Sequence, residues 1–140
     1  MGIVVSVRKI STLSSNGLLR PIVYCCGDLD NVEPVVSLNR ILAEQLAVYK
    51  PKRRTMQIEK CLSQTLAEQP DGVFIKDFGV LFNPDYKIDI LQVMINVCKN
   101  KPFNIIWPGR YENEKLFYAE EGYPDYKVFN INNYDVTCVI

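Results

Sequence analysis

The chain has 140 residues, 48% hydrophobic and 23% charged, with 16 basic and 16 acidic side chains that cancel. That is the composition of one ordinary globular domain spanning residues 1–140, and its neutral balance gives no global pull toward nucleic acid or a membrane. No apolar run approaches the roughly 18 residues of a spanning helix, and no basic stretch precedes the short apolar start, so neither a membrane anchor nor a signal peptide is expected.

In chain order, residues 3 to 7 read as a strand and the polar stretch 9 to 17 as a loop. Residues 21 to 26 have strand propensity, and 27 to 31 carry turn chemistry. Residues 34 to 38 form another short strand. Asn39 is placed to cap a helix reaching about Tyr49, with Ile41, Leu42 and Leu46 on its apolar face. Lys50-Pro51-Lys52-Arg53-Arg54 reads as a break, with Thr55 capping a second helix whose Ile58, Cys61, Leu62, Thr65 and Leu66 fall at helical spacing.

Pro70-Asp71-Gly72 ends that helix, and Val73-Phe74-Ile75 begins a strand that runs into Asp77. Asn83-Pro84-Asp85 turns into a third helix with an apolar stripe of Ile88, Leu91, Met94, Ile95 and Cys98. Residues 103 to 107 make a strand stopped by Pro108-Gly109. The tail reads as β-rich, with strands at 115 to 119, 127 to 131 and 134 to 139. Strands alternating with helices predict a parallel α/β sheet flanked by helices, with ligands beyond the carboxyl ends of the strands.

Within "VFIKDFGVLF" the letters D-F-G match the magnesium-binding aspartate of protein kinases. A kinase also needs a Gly-rich loop and an H-R-D catalytic loop, and this chain has no histidine and no G-x-G-x-x-G. An aspartate ending an apolar strand is equally the Walker B residue of P-loop NTPases. From Pro34 onward, "PVVSLNRILAEQL", "DGVFIKDFGVLFNPDYKIDILQVM" and "FNIIWPGRYENEKLFYAEEGYPDYKVF" resemble the small P-loop proteins of BREX phage-resistance systems, the BrxF family. The order W-P-G, L-x-Y-A, G-x-P-x-Y is the most specific part of the likeness.

The resemblance implies a P-loop NTPase-like fold, ATP with magnesium as cofactor, and an antiviral defence assembly. It places the phosphate loop on residues 9 to 16. There Lys9 and Ser14 stand for the required glycines, Ser15 for the lysine and Asn16 for the magnesium-binding hydroxyl. If residues 21 to 26 are instead the first strand, the loop is absent. The carboxylate implied shortly after Asp77 is also missing, because Phe78-Gly79-Val80 stands there. A degenerate Walker A and no catalytic base predict a non-hydrolysing scaffold without a cofactor. The alternatives are an NTPase subunit with Asp77, Ser14, Ser15 and Asn16 around nucleotide and magnesium, or a nucleic-acid accessory protein.

Each sharp reading has a plainer rival. Asp77 is either a magnesium ligand or a strand-end turn residue. Lys52, Arg53 and Arg54 either meet phosphate or make a solvated loop. Arg110 either reaches a neighbour's nucleotide or pairs with Glu112 or Glu114. Trp107, Arg110, Tyr118, Tyr123 and Tyr126 are the candidate contacts with other subunits or with a second copy, while tail aromatics also serve as sheet cover. The five cysteines lack C-x-x-C spacing. Without histidine no metal centre is expected, and buried thiols in a reducing cytoplasm fit best.

Overall fold

The computed structural model describes residues 2–5, 20–25 and 34–140. The short β-branched runs become β1 (Ile3–Val5), β2 (Ile22–Tyr24), β3 (Val35–Ser37), β4 (Val73–Lys76) and β5 (Phe103–Ile106). The helices are α1 (Asn39–Ala47), α2 (Pro51–Ala67) and α3 (Ile90–Cys98). Beyond them come β6 (Arg110–Glu112), β7 (Lys115–Tyr118), β8 (Lys127–Asn130) and β9 (Thr137–Val139). The main sheet is six-stranded and parallel in the order β1-β9-β2-β5-β4-β3, and β6-β7-β8 form a separate antiparallel sheet.

Period-two alternation sends Val23, Val73, Ile75, Phe103, Ile105 and Cys138 to one face, where all are fully buried. They share one core with Leu42 and Leu46 of α1, Ile58, Leu62 and Leu66 of α2, and Leu91 and Met94 of α3. Each such side chain contributes about 1.5–3 kcal/mol by leaving water. The intervening Tyr24, Phe74 and Ile106 on the other face are half-buried. The predicted parallel α/β sheet flanked by helices is therefore present, and the β-rich tail contains a small antiparallel sheet. The last two residues of the strand expected at 3 to 7, the loop expected at 9 to 17 and the turn at 27 to 31 lie outside the described residues.

Several local expectations are corrected. The basic run is no break, because Pro51 opens α2 at a position whose N–H needs no partner, and Lys52, Arg53 and Arg54 form the first turn. Thr55 is therefore inside the helix. Asn39 caps nothing on its own helix; its Oδ1 accepts from the Val80 N–H at 2.8 Å. Asp89, not the Asn83-Pro84-Asp85 turn, caps α3, accepting from the Gln92 N–H at 3.2 Å. Residues 79 to 82 form a 3₁₀ turn. The last strand belongs to the main sheet and not to the tail, with β9 inserted between β1 and β2.

The two sheets meet in an aromatic cluster. Trp107 packs edge-on against Phe82 and Phe129, with ring centres 5.9 and 5.8 Å apart, and Phe82 stacks on Tyr118 at 3.9 Å. The Trp107 Nε1–H donates to the Phe117 carbonyl at 3.0 Å. A Cβ on Gly109 would collide with that same carbonyl, so the W-P-G corner needs glycine for close approach. Tyr134 extends the cluster, 6.1 Å from Phe129, and its hydroxyl donates to Asp89 Oδ2 at 2.6 Å.

Three outcomes are expected of this junction. Trp107→Ala lowers stability by about 3–5 kcal/mol and Gly109→Ala by about 1–3 kcal/mol, read by urea unfolding. An unchanged midpoint for Gly109→Ala would contradict the close approach. Burial, then the hydrogen bond and charge of Asp89, hold the Tyr134 hydroxyl protonated well above the ordinary tyrosine range. The raised folded value means this contribution is complete below about pH 10, the unfolded value, and fades as pH rises beyond it. Tyr134→Phe should flatten the alkaline limb of a stability–pH profile, and an unaltered limb would refute the assignment.

Candidate functional site at the carboxyl edge of the sheet

Asp77 comes directly after the last residue of β4, and Ser37 ends the adjacent β3 in register with Lys76. That neighbourhood lets Ser37 Oγ donate to Asp77 Oδ2 at 2.7 Å. Asp77 is exposed and sits at φ 50°, a left-handed conformation that aspartate tolerates better than most residues. The carboxylate and hydroxyl are oxygen donors of the kind magnesium accepts, alongside phosphate and water. Among the described residues, no group of three or more His, Cys, Asp or Glu gathers to hold a metal.

The residues after Asp77 are committed to packing. Phe78, Leu81 and Phe82 are buried, and Phe78 lies 6.2 Å from the Trp107 ring. A Cβ on Gly79 would approach the Tyr118 hydroxyl to 2.6 Å. The 3₁₀ turn therefore plugs the junction between the sheets and presents no carboxylate beside Asp77. β2 lies inside the sheet, whereas β1, among the described residues, is an edge paired with β9. Ser14, Ser15 and Asn16, the proposed phosphate-loop positions, lie outside the described residues.

β5 pairs directly with β4, so Trp107 and Asp77 stand at the ends of neighbouring strands. Trp107 itself is buried at 5% exposure, which makes it a support for the surface and not part of it. Arg110, Phe117 and Val128 line up across β6, β7 and β8 on one face of the small sheet. The Arg110 guanidinium lies 4.4 Å from the Phe117 ring centre, and Tyr126 is 6.5 Å from that ring. Arg110 also approaches Glu112 at 3.8 Å, an exposed pairing of small energetic weight. Glu114 instead accepts from Asn132 Nδ2 at 2.9 Å.

Tyr118 points the other way, into its stack on Phe82, and burial first, then Asp125, pushes its hydroxyl pKa up. Tyr123 is 62% exposed on the turn before β8. The interaction candidates thus divide: Arg110 and Tyr126 share a face with Phe117 and Val128, Trp107 and Tyr118 lie beneath it, and Tyr123 stands apart on its turn. Sequence reasoning missed Ser37 and Val128, and took Phe117 only as one of the tail aromatics. The L-F-Y alternation of β7 carried a signal for Phe117, since Leu116 inward puts Phe117 outward.

The basic run also divides. Lys52 and Arg53 are exposed, but Arg54 Nε donates to the carbonyls of Leu46 and Tyr49, both at 3.1 Å. Arg54 is thus a clasp on the end of α1. Cys61, Cys98 and Cys138 are buried free thiols and Cys25 is partly buried. Burial raises the pKa of Cys61 and Cys98, which disfavours their thiolate form. Among the described residues, no helix is long and apolar enough to cross a membrane.

Comparisons with family models, with curated proteins and with solved structures gave no match. The chain's own geometry therefore carries the functional reading. The φ of Asp77 supplies a test. Asp77→Ala and Asp77→Gly both lose the Ser37 bond, but only glycine relaxes at φ 50°, so the alanine variant should be less stable by about 1 kcal/mol. Equal unfolding midpoints would mean that the left-handed conformation is not held.

Proposed function

We propose that this chain is a non-hydrolysing, P-loop-like α/β domain acting as an interaction or scaffold component of a prokaryotic antiphage defence assembly. The observation that carries this reading is the fate of the residues after Asp77. The segment that would supply a catalytic carboxylate is the buried plug of Phe78, Leu81 and Phe82. Asp77 then has a structural neighbour, Ser37, and the turn that follows it, Phe78 to Phe82, offers no carboxylate to activate water.

Two further observations support it. The likeness of the W-P-G corner and the Tyr-rich tail to the BREX proteins supplies the defence setting. The Arg110, Phe117, Tyr126 and Val128 surface supplies the contact chemistry, since interface anchors are enriched in aromatic residues and arginine. An ATP-dependent NTPase subunit is the second reading, favoured by the Asp77–Ser37 oxygen pair.

One experiment separates them. Purified chain with ATP and magnesium should show no turnover; a steady rate abolished by Asp77→Ala would overturn the scaffold reading. Affinity purification from the native host should recover protein partners. Arg110→Ala and Tyr126→Ala should each weaken that recovery, by about 2 kcal/mol of binding at an anchor, with nearly unchanged thermal stability. Retention of an intact complex by both variants would place the contact face elsewhere.

A further inference from the structure

The most exposed large apolar side chains of the described residues occupy two places. Val48 and Met56, each 79% exposed, lie at the tip of the α1–α2 hairpin, and Tyr123, 62% exposed, lies on the turn between β7 and β8. Their surroundings carry opposite charge. Lys52, Arg53 and Lys60 stand four and three residues before and four after Met56, so they share its face of α2, and Lys50 precedes the helix. Around Tyr123 stand Glu120, Glu121 and Asp125, in a tight turn closed by the Tyr123 N–H donating to the Glu120 carbonyl at 3.1 Å.

These groups do not satisfy one another within the chain. Lys50, Lys52, Arg53, Lys60, Glu120 and Glu121 are all exposed, and none enters an ion pair among the described residues. The basic placement also runs against helix electrostatics. The first turn of α2 contains no acidic residue, and its cations face the positive end of the helix dipole. An anionic surface docked there relieves that repulsion. The acidic turn, with one protruding aromatic side chain, carries the opposite charge.

We propose that the basic hairpin tip of one copy binds the acidic Tyr123 turn of a second copy, giving head-to-tail self-association. This rests on the protein-binding reading above and names its partner as the chain itself. Such a heterologous contact uses different patches on the two copies, and so builds rings or open strings. Balanced charge over the whole molecule suits it, because the copies attract at these ends without global repulsion. The contact rests on few side chains, so it belongs with small interfaces of less than about 1,200 Å² and depends strongly on concentration and salt.

The test is sedimentation equilibrium of the purified full chain at low and high salt. The wild type should associate with rising concentration at low salt and dissociate at high salt. Lys52→Glu with Arg53→Glu, and separately Glu120→Lys with Glu121→Lys, should each weaken association by at least about tenfold. The first variant loses the basic end and keeps the acidic one, and the second does the reverse, so mixing them should restore association through the two ends left unaltered. Circular dichroism melting checks that both remain folded. A wild type that stays monomeric at low salt overturns the inference, as do charge-reversed variants that associate like wild type. Duplex DNA bound through Lys52 and Arg53 by a monomeric chain also overturns it. A monomeric result leaves the Arg110 and Tyr126 test of partner binding untouched, so the two failures are distinguishable.

Discussion

The hydrogen bond from the Trp107 indole to the Phe117 carbonyl is the constraint on which the two-sheet architecture depends. A parallel sheet whose strands are three or four residues long has little ladder of its own. At its carboxyl edge it is held by the side chains that pack there. Trp107 leaves β5 into a ring of Phe78, Phe82 and Phe129, and its one polar atom needs a buried partner. The carbonyl of β7 is that partner, and it fixes how the small sheet lies on the large one. Gly109 must then pass against the same carbonyl, which is why tryptophan and glycine occur together in this corner.

The same junction decides what the carboxyl edge can do. With Phe78 and Phe82 drawn into the aromatic cluster, the chain after Asp77 turns immediately into a 3₁₀ turn. The left-handed φ at Asp77 is the local consequence, because the strand must end abruptly to deliver Phe78 into the core. Asn39 secures the turn by accepting from Val80, and Ser37 secures the aspartate. A residue that resembles a catalytic acid is thus embedded in a packing device. Strain of this kind gathers at functional sites, but here a packing demand is already sufficient to produce it.

Where periodicity alone decides, the fold was legible. Leu91, Met94, Ile95 and Cys98 recur at helical spacing because α3 lies against the sheet, and all are buried. The strands ending at Asp77 and Trp107 were legible for the same reason, and their adjacency came from βαβ connectivity. Position-dependent chemistry was not. Pro51 looks like a breaker until its place at the first helical position is known, so a helical first turn read as a loop. β9 looked like tail because sequence order does not say which strands pair, and its insertion between β1 and β2 is a long-range choice. The site was less legible still. Ser37 and Asp77 are 40 positions apart and meet only through β3–β4 register.

Arg110 shows how register turns a local guess into a surface. On sequence its natural partner is a nearby carboxylate, and Glu112 does lie within 3.8 Å. Antiparallel pairing nevertheless puts Phe117 directly opposite, and Val128 opposite Phe117. The two-residue turn Asn113–Glu114, with both φ angles positive, sets that pairing, since such turns match the twist of the strands they join. Slipping the register by one residue would bury Arg110 and Phe117 against the aromatic cluster and expose Tyr111 and Leu116. The burial of Leu116 and Phe129 opposes that slip. The contact face is therefore fixed by the hydrophobic side of the small sheet, and Arg110 stays in solvent over an aromatic ring because its neighbours along the strand belong inside.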